Sequence, residues 1–162
     1  MEAVGNLASP RHRSPRSSGG ALAAGLLVAC AFSAGVHIAL APEHLAESAL
    51  LGLGFLGSAA LLLALGLGIY ARPGSVRLPP LIAFLSAALI AAYVASRTVG
   101  LPVLHPAPEA VDRVGVITKG VEVVALVLSL HLFVENAAGS RRCQGKRRAR
   151  WTTISPISRA GL

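Results

Sequence analysis

Four long apolar segments dominate the pattern of hydrophobic and polar positions along the chain. They cover residues 21–40, 46–70, 79–101 and 111–134. Each has about the 20 residues that a helix rising 1.5 Å per residue needs to cross a hydrocarbon core of roughly 30 Å. Because only short connections separate these segments, the pattern predicts an all-α fold, an antiparallel four-helix transmembrane bundle over residues 21–135.

Composition supports a membrane protein, since 54% of the residues are hydrophobic, 14% are charged and the mean hydropathy is +0.65. Residues 1–20 are rich in Ser, Pro and Gly, which predicts a disordered, basic cytoplasmic segment. The first apolar segment also resembles a signal peptide cleaved after Ala41, but Pro42 directly after that position argues against cleavage. At the other end, a helix stop at Asn136 is expected to begin a basic cytoplasmic tail over residues 136–162.

The distribution of positive charge predicts the orientation of the bundle. Of the 15 Lys and Arg residues, all but three precede the first segment, lie between the second and third, or follow the fourth. The positive-inside rule places those positions in the cytoplasm, so both termini lie inside and the connections at 41–46 and 102–110 lie outside. We therefore expect a multi-pass protein of the bacterial inner (plasma) membrane. The three exceptions are Arg97, Arg113 and Lys119.

The basic tail predicts a lipid partner. Arg141, Arg142, Lys146 and the basic residues that follow lie beside the last span, and Trp151 is suited to the membrane interface. Such a cluster is attracted to anionic lipid by about 1 kcal/mol per basic residue near the surface. Nucleic acid is the rival partner, but positive inner flanks are expected of any bacterial membrane protein, so the lipid bilayer is favoured.

Five of the seven acidic residues and three of the five histidines gather toward the predicted outer end of the bundle, together with Tyr93, Arg97 and Lys119. Within the fourth span, Asp112, Lys119 and Glu122 project on one side of the helix. Glu122 would lie ~16 Å deep, where an ionised group needs a partner, and Lys119 one turn away is the nearest. The whole group comprises His37, Glu43, His44, Glu47, Tyr93, Arg97, His105, Glu109, Asp112, Lys119 and Glu122.

Two other patterns predict packing rather than chemistry. Gly52, Gly54 and Gly57 fit the G-x-G-x-x-G dinucleotide pattern, but no strand precedes them, so we expect these glycines to bring helices close together. Cys30 lies in the middle of a span and Cys143 in the tail, which excludes an intrachain disulfide. Cys30 is therefore expected to be a small packing residue.

Several stretches resemble a functionally uncharacterised family of small four-span membrane proteins from bacteria with GC-rich genomes. They are His37-Ile-Ala-Leu-Ala-Pro-Glu-His44, Ser96-Arg97-Thr98-Val-Gly100-Leu101-Pro102, and Pro108-Glu109 with Asp112 and Glu122. The resemblance covers about residues 21–135. It implies the four-span architecture and a pattern of His, Arg and acidic residues near the outer face, and it implies no activity.

Three functions fit the polar group, and none is an enzyme, because no Ser or Cys nucleophile sits beside a His and no metal-hydrolase motif occurs. The first is a site for a divalent transition metal built from His37, His44, Glu43 and Glu47. The second is a proton- or ion-coupled relay that uses Glu122 and Lys119, for which a homodimer is expected. The third is a partner subunit whose ion pairs are purely structural.

Overall fold

The structure, a computed structural model, describes residues 18–100 and 107–153 and contains four helices with no strand in those ranges. Successive helices pack against each other, and α1 also packs against α4, which closes the bundle. The predicted all-α four-helix bundle is therefore confirmed. Most of the segment predicted to be disordered, residues 1–17, lies outside the described residues. The helices are α1 (Ser18–Glu47), α2 (Ala49–Ala71), α3 (Leu78–Thr98) and α4 (Arg113–Thr153).

All four helices are long and apolar enough to cross a membrane. Their large apolar side chains cover the outside of the bundle, as Phe84 and Val28 do with 76% and 68% of their surface exposed. Polar side chains such as Ser86, Ser129 and Glu122 are instead buried. Polar side chains buried between helices, with large apolar side chains exposed outside, are typical of a bundle whose solvent is lipid, so the fold is compatible with a multi-pass membrane protein.

The predicted connection at 41–46 is wrong, because α1 continues through Pro42 to Glu47 and the turn into α2 is the single residue Ser48. A proline inside a helix removes one backbone N–H and crowds the carbonyl four residues earlier, so it often bends or ends the helix. Here the helical hydrogen bonds continue after Pro42, since the Ser48 amide donates to the His44 carbonyl at 2.9 Å. His44 and Glu47 therefore belong to the last turn of α1 rather than to a loop.

The predicted helix stop at Asn136 is also wrong, because α4 continues to Thr153. The Asn136 amide donates to the backbone carbonyls of Pro73 and Ser75, both at 2.9 Å, in the connection between α2 and α3. Its side chain is satisfied by this tertiary contact and does not compete with the helix. The predicted tail is thus helical from residue 136 to residue 153.

An apolar core fills the half of the bundle nearer the start of α1. Its largest members are Leu26, Leu62, Ile69, Ile82 and Leu132, all at most 1% exposed. Cys30 packs there against Gly66, where an added Cβ would lie 3.0 Å from the Cys30 Cβ. The expected packing role of Cys30 is confirmed, and this half of the bundle is closely packed and mainly aliphatic.

Only one of the three glycines in the G-x-G-x-x-G pattern brings helices together. A Cβ at Gly52 would lie 2.8 Å from the Leu45 Cα, because the tight turn at Ser48 presses the start of α2 against the end of α1. A Cβ at Gly54 or Gly57 would meet nothing within 4 Å in the described part of the chain. The packing prediction is therefore right for Gly52 and wrong for the other two.

We expect Gly52→Ala to destabilise the bundle and Gly54→Ala to leave its stability unchanged or slightly higher. The new methyl group at Gly52 would collide with the backbone of α1 at Leu45, which can shift only at a cost in free energy. Overpacking of this kind costs about 1 to 3 kcal/mol. Thermal unfolding of the purified protein in detergent measures the difference. Equal melting temperatures for the two variants would contradict the close approach of α1 and α2.

Candidate functional site

A largely apolar cavity with several polar side chains in its wall lies at the end of the bundle opposite the apolar core. The second half of α1, the first half of α2, the last turns of α3 and the first turns of α4 surround it. Its volume is about 270 Å³. Apolar side chains such as Leu40, Leu51 and Phe55 line much of the wall, and the predicted polar residues His37, Tyr93, Arg97 and Lys119 line the rest.

Glu122 is the most deeply buried charged side chain at this end of the bundle, with 1% of its surface exposed. Its Oε2 accepts a hydrogen bond from the Lys119 Nζ at 2.6 Å, and its Oε1 accepts one from the Ser33 hydroxyl at 2.8 Å. The predicted pairing of Glu122 with Lys119 is confirmed. Because Ser33 belongs to α1 and Glu122 to α4, this carboxylate also joins the two helices.

Arg97 forms a second ion cluster nearer the end of the bundle. Its Nη1 donates to Glu109 at 2.5 Å and its Nη2 donates to Asp112 at 2.9 Å. The other oxygen of Asp112 accepts the Gly115 amide at 2.6 Å, so Asp112 also caps the first turn of α4. One guanidinium thus joins the last turn of α3 to the segment that leads into α4.

Tyr93 lies between the two ion clusters. Its ring faces the Arg97 guanidinium at 4.9 Å and the Lys119 ammonium at 5.6 Å, both within reach of a cation–π interaction. The ring packs on α4 at Gly115, where a Cβ would lie 2.6 Å from the Tyr93 Cε2. The Tyr93 hydroxyl is buried and has no hydrogen-bond partner within the described ranges.

His37 lies in the wall of the cavity on α1 with 6% of its surface exposed. Its Nδ1 donates to the Ser33 carbonyl at 2.8 Å, and since a carbonyl can only accept, Nδ1 carries the proton. In a neutral ring the Nε2 is then a hydrogen-bond acceptor, and no side chain or carbonyl of residues 18–100 and 107–153 bonds to it. The ring packs beside Phe55, with the two centroids 5.2 Å apart.

The residues predicted to hold a metal do not form a compact ligand set. His44 pairs with Glu47 through its Nδ1 at 3.3 Å and stacks on Phe55, whereas Glu43 and Glu47 lie on the exposed surface. Across the two described ranges, no three His, Cys, Asp or Glu side chains are close enough together to hold a metal ion. His105 lies outside the described residues, and the metal site stays a prediction.

Several residues of the site were not predicted from the sequence. Ser33 bonds to both Glu122 and His37, Phe55 separates His37 from His44, and Gly115 receives the Tyr93 ring. The position of Ser33, one helical turn before His37, was an available signal because a buried serine hydroxyl needs a partner. No comparable signal marked Phe55, since its position depends on how α2 packs on α1.

Comparison with known proteins finds no matching family model, no matching curated protein and no matching solved structure. The site combines a largely apolar cavity, two ion clusters and a buried histidine whose Nε2 is free to accept a hydrogen bond.

We expect Glu122→Gln to destabilise the bundle by at least about 2 kcal/mol, because it leaves the Lys119 ammonium without its partner in the interior. The matched change Glu135→Gln removes an acid whose partner His131 is 61% exposed and should cost under about 1 kcal/mol. Thermal or denaturant unfolding in mixed micelles provides both values.

A double variant, Lys119→Met with Glu122→Met, serves as the control for this experiment. Replacing both charges by apolar side chains of similar size should recover much of the lost stability, because the cost comes from an unpaired buried charge. If Glu122→Gln were as mild as Glu135→Gln, the assignment of Glu122 as a buried partner of Lys119 would be wrong.

Proposed function

We propose that this chain is a multi-pass protein of the bacterial plasma membrane that binds a small ligand, without catalysis, in the cavity at the outer end of its bundle. In this proposal both termini lie in the cytoplasm. The cavity opens toward the outer face, and the ligand reaches it from outside the cell or from the outer leaflet.

The cavity itself is the observation that carries the proposal. Ligand sites are concave, mostly apolar and equipped with a few convergent polar groups, and they occur between the helices of bundles. A volume of about 270 Å³ is large for a defect in a bundle whose other half is filled by Leu26, Leu62 and Ile82. Interiors are normally packed nearly without voids, so an open space lined by His37 and Ser58 favours an occupant.

The one-sided distribution of polar groups supports binding over conduction. A series of contacts runs inward from Asp112 through Arg97, Tyr93 and Lys119 to Glu122. Beyond Glu122 the described residues include no buried charged side chain, since Leu26 and Leu132 fill the core and the buried Ser86 and Ser129 carry only neutral hydroxyls. A relay needs groups across the whole membrane, so Glu122 and Lys119 fit better as the floor of a site than as a step in a pathway.

Metal binding remains a narrower form of the same proposal. Imidazole and carboxylate are suitable transition-metal ligands, and His37 and His44 flank the same phenylalanine. Their Nδ1 atoms, however, already bond to the Ser33 carbonyl and to Glu47. A metal would therefore have to use the Nε2 atoms, and elemental analysis of the purified protein tests for it directly.

The predicted orientation can be tested with a membrane-impermeant maleimide on spheroplasts. We expect the native Cys143 to react only after the membrane is disrupted, because the basic end that contains Arg141 and Arg142 is cytoplasmic. In a Cys143→Ser background, Ala107→Cys should react in intact spheroplasts. The reverse pattern would invert the topology and place the cavity on the cytoplasmic side.

The binding function can be tested by filling the cavity. Gly54 lines the cavity and Gly57 does not, and an added Cβ meets nothing within 4 Å at either glycine. We expect small molecules extracted from the purified protein, analysed by mass spectrometry, to be retained by Gly57→Leu and lost in Gly54→Leu. Identical extracts from the wild type and both variants would contradict a ligand in this cavity.

A further inference from the structure

We infer that the ligand is an uncharged amphipathic molecule with a hydroxyl group on an apolar body of about two rings. Its hydroxyl donates to the His37 Nε2 and accepts from the Ser58 hydroxyl, and its body lies against the apolar wall. This inference rests on the proposed function, because it assigns the class of ligand to the same cavity.

The charges around the cavity are already balanced, which argues against an ionic ligand. The Lys119 ammonium is paired with Glu122, and the Arg97 guanidinium is shared by Glu109 and Asp112. The second carboxylate on Arg97 is compensated at the start of α4, where it accepts the Gly115 amide at the positive end of the helix dipole. An anion or a cation entering this space would therefore lose its hydration without gaining a free counter-charge.

The cavity lining offers several open hydrogen-bonding groups. On α3, the buried Tyr93 hydroxyl and the Arg97 Nε have no hydrogen-bond partner within the described residues. On α1 and α2, an acceptor and a hydroxyl are open. His37 donates through Nδ1 to the Ser33 carbonyl, which leaves its Nε2 as an acceptor in the neutral ring. Ser58 lines the same cavity, one helical turn from Phe55, whose ring packs against His37. A hydroxyl is the simplest group that satisfies both, since it donates one hydrogen bond and accepts others.

Ser96 and Thr118 line the same cavity but are not available in this way. The Ser96 hydroxyl donates to the Tyr93 carbonyl at 2.9 Å, and the Thr118 hydroxyl donates to the Val114 carbonyl at 2.8 Å. Their hydrogens are used within their own helices. Ser96 is therefore a matched control for Ser58, a serine of the same cavity whose donor is already engaged.

The size and lining of the cavity determine how large the apolar part of the ligand can be. An engineered cavity of about 150 Å³ accommodates benzene, so about 270 Å³ corresponds to roughly two fused rings. Val36, Leu40, Leu51 and Leu89 provide apolar walls from three helices, and Phe55 provides an aromatic one. A molecule with this shape partitions into lipid and can approach the cavity from within the membrane.

The probe for the test is 2-naphthol, titrated by its fluorescence into the full-length protein in lipid nanodiscs, with empty nanodiscs subtracted. Its analogues are naphthalene, which lacks the hydroxyl, 2-naphthoate, which is an anion, and 2-naphthylmethylammonium, which is a cation. Zinc ion is titrated separately by calorimetry. We expect saturable binding of 2-naphthol that is tighter than the binding of all three analogues and of zinc.

The variants identify the groups that hold the hydroxyl. Ser58→Ala and His37→Phe should each weaken 2-naphthol binding by about threefold to tenfold, which is the effect of one lost hydrogen bond. Both variants should change the binding of naphthalene, which has no hydroxyl, by less than about twofold. Ser96→Ala and His131→Phe are the matched controls and should change neither. Because Ser58→Ala removes only one hydroxyl from the half-buried wall of the cavity, it remains informative if His37→Phe fails to fold.

Each other result overturns a defined part of the inference. Tighter binding of the anion, the cation or zinc would replace the ligand class and leave the binding function standing. Equal binding of naphthalene and 2-naphthol, or no effect of Ser58→Ala in the folded protein, would remove the assigned hydrogen bonds. If no probe bound saturably above empty nanodiscs, both this inference and the binding function would fail.

Discussion

The burial of the Glu122 carboxylate is the constraint on which the polar half of this bundle depends. A carboxylate with 1% exposure must have its lone pairs satisfied by the protein, and here Lys119 and Ser33 do so. The bond to Ser33 ties α4 to α1 at one height. The backbone carbonyl of Ser33 also accepts a hydrogen bond from the His37 Nδ1. The position of the imidazole therefore follows from the position of the Glu122 carboxylate.

The bundle divides into two halves that are built on different principles. In the apolar half, Cys30 lies close to Gly66 and large aliphatic side chains fill the interior. In the polar half, ion pairs keep the helices together while the side chains between them leave an open cavity. Ion pairs and hydrogen bonds hold two helices at the distance that the bonded side chains span. Dispersion forces between apolar side chains instead draw helices as close together as those side chains allow. This difference explains why the cavity lies in the half that contains the charged residues.

The fold was largely predictable because twenty-residue apolar segments have few alternatives in a membrane. The predictions were wrong at helix ends: at Asn136 a tertiary contact satisfies the side chain, and at Pro42 the helical hydrogen bonds continue past the proline. In the site, the pairing of Glu122 with Lys119 was predictable from their spacing on one helix. The contact of Glu122 with Ser33 depends on the packing of two helices distant in sequence, which periodicity does not specify.

The length of α4 has a mechanical consequence. Its 41 residues form one unbroken helix that starts beside the cavity and ends well beyond the bundle. A rigid tilt of about 5° around the middle of such a rod would swing an end ~30 Å away by roughly 2.6 Å. A small tilt of α4 beside the cavity would thus be amplified at its far end, which follows Arg141 and Arg142.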